Sequence, residues 1–125
     1  MSKNNSIKIW IETGYAQFVA EGLEGMQVER LANLTSLNKS GHYHYFGDRG
    51  IFLQHLMKHH LTQAELISND LRLIEDFYPE FIEVLLKFSL PILAYMQLVI
   101  NRHDRLLNEV YLKVNGFVDL PVLPS

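Results

Sequence analysis

A run of small, basic and hydrogen-bonding side chains lies in the first half of the chain. Lys39 offers a cation for a phosphate or a guanine, Ser40 offers a hydroxyl, and Gly41 allows close approach of the backbone. His44 can hydrogen-bond or stack, and the Tyr43 phenol can reach a phosphate. Together these groups have the chemistry that reads a DNA major groove. Spacing alone leaves open that they are the edge of an ordinary helical core.

Two short helices must position these side chains. Val28, Leu31 and Ala32 repeat at i, i+3 and i+4, which gives the first helix a single apolar stripe. Thr35 and Ser36 then interrupt the pattern with residue types that favour turns. The spacing therefore predicts a helix, a tight turn and a second helix.

The second helix is predicted to begin at Lys39, with Asn38 as its N-cap. An asparagine at this position accepts hydrogen bonds from backbone N–H groups at the start of the helix. The positive end of the helix dipole then remains available to a phosphate or a groove edge. Tyr45 and Phe46, near the end of the helix, are expected to face inward.

The segment from about Ile7 to Leu56 resembles the N-terminal domain of TetR-type transcriptional regulators. The family pattern combines a Phe in the first helix, a Gly, a Val-x-x-Ile/Leu-Ala step and a Tyr-x-His/Tyr-Phe-x-x-Lys/Arg ending. This sequence has those residues in order and at the family's spacing: Phe18, Gly22, Val28, Leu31, Ala32, Tyr43, Tyr45, Phe46 and Arg49. The resemblance implies a helix-turn-helix that binds double-stranded DNA.

The resemblance also implies which residues contact the duplex. Bases or nearby backbone would be contacted by four residues: Lys39, Ser40, Gly41 and His44. Tyr43 and Arg49 lie where the family grips phosphates. Gln27 replaces the usual hydroxyl cap and could donate to a phosphate, whereas Glu29 is left out of the site because its carboxylate would repel phosphates.

Three residues depart from the family pattern. Ser36 stands where the turn usually has glycine, His42 where a buried aliphatic or aromatic residue is usual, and Gly50 where glutamate is common. A buried imidazole would have to be neutral or find a partner, because an unpaired buried polar group costs about 1–3 kcal/mol. Gly50 would loosen the start of the next helix by about 1 kcal/mol relative to alanine.

Composition and net charge limit the functions that this chain could have. The chain has 125 residues, 48% of them hydrophobic, with no cysteine and a formal net charge of −3. Residues 1–60 carry six Lys/Arg against five Asp/Glu, and residues 61–125 carry five against nine. Because the first half is barely basic, non-specific DNA affinity should be modest, and a homodimer would bind both half-sites of a palindromic operator. The polar N-terminus predicts no signal peptide, and a cytoplasmic location is expected.

The helices on either side of this motif are also predicted. Ser6 should cap a first helix that Gly22 ends. After a connector of Gly47 and Asp48, a fourth helix should begin at Ile51 and run to about residue 73. In the family this helix links the reading head to an effector domain, and its movement would couple ligand binding to half-site spacing.

The last part of the chain is predicted to form two helices, at about residues 80–99 and 103–114, with a kink or break at Pro91. An apolar stripe in the first of them could line a pocket for an apolar small-molecule effector: Phe81, Leu85, Phe88, Ile92, Tyr95 and Met96. Plain core is the alternative. A membrane span over residues 81–100 has suitable length, but the charges of Glu83 and Lys87 argue against it.

The sequence contains no motif that indicates an enzyme, a metal site or a cofactor site. His55 and His59 share a helix face at i, i+4, but no third ligand stands at a convincing spacing, so these histidines and the adjacent His60 are expected to be solvated or at an interface. No hydrolase triad, phosphate-binding glycine loop or carboxylate pair is evident, and we expect no enzyme, no cofactor and no bound metal.

The sequence therefore predicts an all-α protein. Residues 1–50 would form a three-helix DNA-binding head, and residues 51–125 a connecting helix with a partial effector and dimerisation region that is shorter than the family implies. The expected function is that of a TetR-like regulator, a repressor released by a small-molecule effector. The alternative is a helical interaction protein that oligomerises and does not bind DNA.

Overall fold

A computed structural model describes residues 3–73 and 80–118, and within these residues the secondary structure is helical throughout, without β-strands. The described residues form seven α-helices: α1 (Lys3–Glu21), α2 (Val28–Thr35), α3 (Lys39–Phe46), α4 (Arg49–Arg72), α5 (Glu80–Lys87), α6 (Ser89–Ile100) and α7 (Arg105–Val118). A 3₁₀ helix, Gly22–Gly25, follows α1. The predicted all-α class is confirmed.

The chain divides into two compact units, Met1–Leu56 and Met57–Ser125. The first unit contains α1, α2, α3 and the start of α4, and the second contains the rest of α4 with α5, α6 and α7. The functional division after residue 50 stays a prediction.

Helix α1 begins earlier than the sequence suggested but ends where expected. It already includes Lys3, so Ser6 lies inside the helix and its assignment as the N-cap is wrong. No helix-breaking residue precedes Ser6 within the described helix, which explains the earlier start. The helix ends at Glu21, and Gly22 follows with a φ of 71°, a left-handed conformation that glycine adopts without steric cost.

The core of the first unit is aromatic, with Trp10, Tyr15, Phe18 and Phe46 buried. Gly14 of α1 allows close packing against α4, because a Cβ added there would lie 2.6 Å from Cζ of the buried Phe52.

Three residues, 36–38, join α2 to α3. Ser36 takes a left-handed conformation with a φ of 59°, which for a residue other than glycine costs about 1–2 kcal/mol. The Thr35 hydroxyl supports the turn by accepting a hydrogen bond from the Leu37 N–H at 3.1 Å. Asn38 is the N-cap of α3, as predicted, and its Oδ1 accepts from the Ser40 N–H at 3.0 Å.

Gly47 and Asp48 form the predicted connector, and Gly47 has a φ of 81°. Helix α4 begins at Arg49, two residues before the predicted start. The Asp48 carboxylate accepts a hydrogen bond from the Ile51 N–H at 2.9 Å and so caps the start of α4, which offsets the helix-loosening effect of Gly50.

The apolar helical segment of the second unit is interrupted at a different residue from the predicted Pro91. The chain bends by 72° between α5 and α6, and Phe88 separates the two helices. Pro91 occupies the first turn of α6, where its missing N–H is not needed for an intrahelical bond, so proline does not break the helix here. Helix α7 then extends four residues past its predicted end at residue 114.

None of the described helices is by itself both long and apolar enough to cross a membrane. Helices α5 and α6 would together have the length and composition to do so, but they are strongly bent relative to one another.

Candidate functional site

Helix α3 presents the predicted base-reading side chains on its surface. Lys39, Ser40 and His44 are exposed, and Tyr43 is 53% exposed. A Cβ added to Gly41 would meet no atom closer than Tyr45 Cε2, at 3.8 Å, so the surface beside this glycine is open. These side chains are therefore accessible to a large ligand.

The three residues assigned to phosphates come together although they are far apart in sequence. Gln27, Tyr43 and Arg49 line one open hollow of about 680 Å³ in the first unit. Gln27 precedes α2, Tyr43 belongs to α3, and Arg49 is the first residue of α4, so the hollow is formed where these elements meet.

The start of α2 contributes to the same hollow. Val28 and Glu29, the first two residues of this helix, are among its lining residues. The Gln27 side chain makes no capping hydrogen bond. The first N–H groups of an α-helix have no partner within the helix, and they favour an anion.

Carboxylates form ion pairs with some of the basic side chains near this surface. Lys39 Nζ lies 3.1 Å from Glu29 Oε1, and the Arg30 guanidinium pairs with Glu21. The Arg49 guanidinium donates a hydrogen bond to the Leu23 carbonyl. Exposed ion pairs contribute only about 0–1 kcal/mol, so these cations can exchange their partners for a phosphate. The pairing of Lys39 with Glu29 was not predicted, because it joins residues ten positions apart across a turn.

His42 belongs to the core of the first unit. Its ring is fully buried, with ring centroids 5.0 Å from Trp10, 5.0 Å from Phe46 and 4.4 Å from Phe52. Within the described part of the chain neither ring nitrogen has a hydrogen-bond partner. Burial lowers the pKa of His42, so the imidazole is neutral at pH 7. Phe46 is buried as predicted, whereas Tyr45 is only half-buried.

The second unit contains an apolar cavity of about 360 Å³. Four of the six predicted effector-pocket residues line it: Phe81, Leu85, Ile92 and Tyr95. Phe88 is buried at the helix break instead, and Met96 is 53% exposed. The prediction placed the kink at Pro91, whereas the actual bend at Phe88 separates the faces of the two halves of the stripe.

Helix α4 supplies cavity residues that were missed in the sequence: His60, Ala64, Ile67 and Leu71. They repeat at i, i+4, i+7 and i+11, so a helical period was visible, but His60 was expected to be solvated or at an interface. That expectation is wrong, because His60 is only 1% exposed.

The two polar side chains of the cavity lining are uncharged at pH 7. Burial, with a smaller contribution from the charge of the neighbouring His59, lowers the pKa of His60 to about 4. Burial raises the pKa of Tyr95, whose hydroxyl donates to Asn115 Oδ1 at 2.7 Å. Among the residues that the structure describes, no cluster of three or more His, Cys, Asp or Glu could hold a metal ion.

The chain was compared with protein-family models, with curated proteins and with solved structures, and no match was found in any of the three comparisons.

Proposed function

We propose that this protein is a TetR-like DNA-binding transcriptional regulator, a repressor that a small-molecule effector releases from its operator. The observation that carries the proposal is the common hollow of Gln27, Tyr43 and Arg49. These residues were assigned to phosphates on the family pattern alone, and a shared surface is what such a role requires. The short turn between α2 and α3 is of the length that joins the helices of a helix-turn-helix.

In this proposal α3 is the recognition helix. Lys39 contacts guanine or phosphate, Ser40 and His44 hydrogen-bond to base edges, and Gly41 admits the backbone to the groove. Tyr43 and Arg49 grip the phosphates beside the groove, and Gln27 donates to another phosphate at the start of α2.

The charge of the surface favours specific over non-specific binding. Glu29 pairs with Lys39 in the free protein, and Glu24 lines the same hollow as Arg49. A surface with so little net positive charge gains little from counterion release. Tight binding would then need two half-sites, which a homodimer on a palindromic operator provides.

Helix α4 is the proposed connection between DNA and effector. It begins with Arg49, which lines the hollow, and further along it carries His60, Ala64, Ile67 and Leu71 of the cavity. An effector would act through this helix by binding one of two conformations more tightly than the other.

Selection of bound fragments from the source genome tests the proposal. The purified protein should enrich an inverted repeat, and Lys39→Ala and Tyr43→Ala should each weaken binding to the enriched duplex. Lys113→Ala, which removes an exposed cation of α7, is the matched control and should leave affinity unchanged. Full affinity in both α3 variants would contradict the assigned surface.

A second candidate function, an oligomerising interaction protein without DNA affinity, is favoured by exposed apolar side chains of α5 and α6. Leu86 is 73% exposed, Ile100 is 65% exposed, and Leu93 and Met96 are also exposed. Apolar side chains exposed in this number are typical of interfaces. This candidate predicts a stable oligomer by light scattering together with no salt-dependent DNA affinity, whereas the regulator predicts both a dimer and DNA binding.

A further inference from the structure

The cavity of the second unit has a size and lining that restrict what it can hold. Its volume of about 360 Å³ lies near the lower end of the range of small-molecule pockets, about 300–1,000 Å³. Aliphatic side chains from α4, α5, α6 and α7 make up most of the wall, among them Ile67, Val84, Ile92 and Val114. Such a wall favours a compact hydrocarbon surface.

Charge restricts the occupant further. Among the residues that the structure describes, no Asp, Glu, Lys or Arg lines the cavity, and the polar side chains that do, His60 and Tyr95, are neutral at pH 7. An ion that entered would lose its hydration without meeting a counter-charge, and that loss is costly in an apolar site. The His60 Nε2 atom is buried, and the Tyr95 hydroxyl donates its proton to Asn115, so the lining offers a ligand mainly carbon surface.

We infer that this cavity binds a compact, uncharged and mainly apolar molecule. The role of this molecule as the effector of a regulator rests on the proposed function. Its binding to the cavity does not depend on that function and can be measured without DNA.

The first experiment uses probes of similar skeleton and different charge. Isothermal titration calorimetry of the full chain at neutral pH compares 2-naphthol and 1-octanol, which are neutral, with 2-naphthalenesulfonate, which is an anion. The neutral probes should bind saturably at one site per chain, and the sulfonate should bind more than about tenfold more weakly than 2-naphthol because its charge must be desolvated.

The second experiment locates the binding. Ile67→Trp fills the cavity, whereas Leu66→Trp places the same side chain at the exposed neighbouring position of α4. We expect 2-naphthol binding to be lost in Ile67→Trp and kept in Leu66→Trp, with circular dichroism confirming that both fold. If the tryptophan prevents folding, Ala64→Leu adds a smaller group to the same wall and should weaken binding in the same direction.

Three results would overturn the inference: no binding of either neutral probe, sulfonate binding as tight as that of 2-naphthol, or unchanged 2-naphthol affinity in the cavity-filling variant. The two proposals fail separately. Binding of 2-naphthol by a protein without DNA affinity supports the cavity and contradicts the regulator, and DNA binding without probe binding does the reverse.

Discussion

The first unit has hydrogen-bonding side chains on an exposed surface, whereas the second unit has a cavity that no charged side chain lines in the described part of the chain. In the first unit Tyr43, Arg49 and Gln27 meet at an open hollow, which suits a large polar ligand. In the second unit aliphatic side chains surround a small space, which suits a small apolar one. One short chain therefore combines an open, polar hollow with an apolar cavity.

The two units also differ in the surroundings of their buried histidines, His42 and His60. His42 is enclosed by aromatic rings and fills space in the core, whereas His60 is buried but lines a cavity. Burial lowers the pKa of both. His42 therefore serves packing, and His60 can also contact a ligand.

The largest effect we expect concerns the stability of the protein in acid. The pKa of His60 is about 4 in the folded chain and about 6.5 when unfolded, so between these values the unfolded chain binds a proton that the folded chain excludes. The free energy of unfolding should fall by about 3 kcal/mol as the pH drops from about 6.5 to about 4. Urea unfolding followed by circular dichroism measures this fall.

His60→Phe keeps a ring of similar size and removes the titration. The variant should lose most of that pH dependence, while His42, whose pKa is also lowered, retains a part of it. Equal pH dependence in the variant and the original protein would contradict the burial of a neutral His60.

A pair of glycines, one from each unit, tests the packing of the helices. Gly14→Ala should lower the free energy of unfolding by about 2 kcal/mol, because its Cβ would lie 2.6 Å from the buried Phe52 ring. Gly116→Ala in α7 should raise it by up to about 1 kcal/mol, since nothing lies within 4 Å of that Cβ and alanine favours the helix. Thermal unfolding compares the two, and effects of the same sign would count against the packing described.

Arg49→Ala should weaken DNA binding by about tenfold, or about 1.4 kcal/mol, because a charged hydrogen bond to phosphate is lost. The slope of log affinity against log salt concentration should also become shallower by about 1. Arg105→Ala, which removes an exposed guanidinium of the second unit, is the control. Fluorescence anisotropy with the enriched duplex measures both, and equal losses in the two variants would refute a specific role of the hollow.

The smallest effect concerns the ion pair beside the recognition helix. Glu29→Gln should raise affinity for unrelated duplexes a few-fold, corresponding to less than about 1 kcal/mol, because Lys39 loses its exposed partner. Glu109→Gln, which frees Arg105 in α7, should leave DNA affinity unchanged. A decrease in non-specific affinity on Glu29→Gln would show that the carboxylate does not oppose phosphate binding.

Helix boundaries governed by local chemistry could be predicted from the sequence. Asn38 and Gly22 were placed correctly, because a cap and a left-handed glycine depend on neighbouring backbone groups. Pro91 misled the prediction because its effect depends on its position in the helix: in the first turn it is tolerated, and the break falls at Phe88 instead.

Features that depend on distant contacts could not be predicted in the same way. The burial of His60 results from α4 packing against helices that lie tens of residues further along the chain, and the helical period of its apolar neighbours did not by itself show that the histidine is buried with them. The hollow of the first unit likewise joins the 3₁₀ helix, α2, α3 and the start of α4. Gln27, Tyr43 and Arg49 were assigned to phosphates through the family pattern, and their proximity is visible only in the structure.

The central claim, that the surface of α3 and the hollow beside it bind DNA, is tested most directly by NMR titration of the isotope-labelled chain with the enriched duplex. We predict that the amide signals of residues 39–44 and of Gln27 and Arg49 shift most, and that the shifts weaken as salt is added. Shifts confined to the exposed faces of α5 and α6, or no shift with any duplex, would contradict the claim.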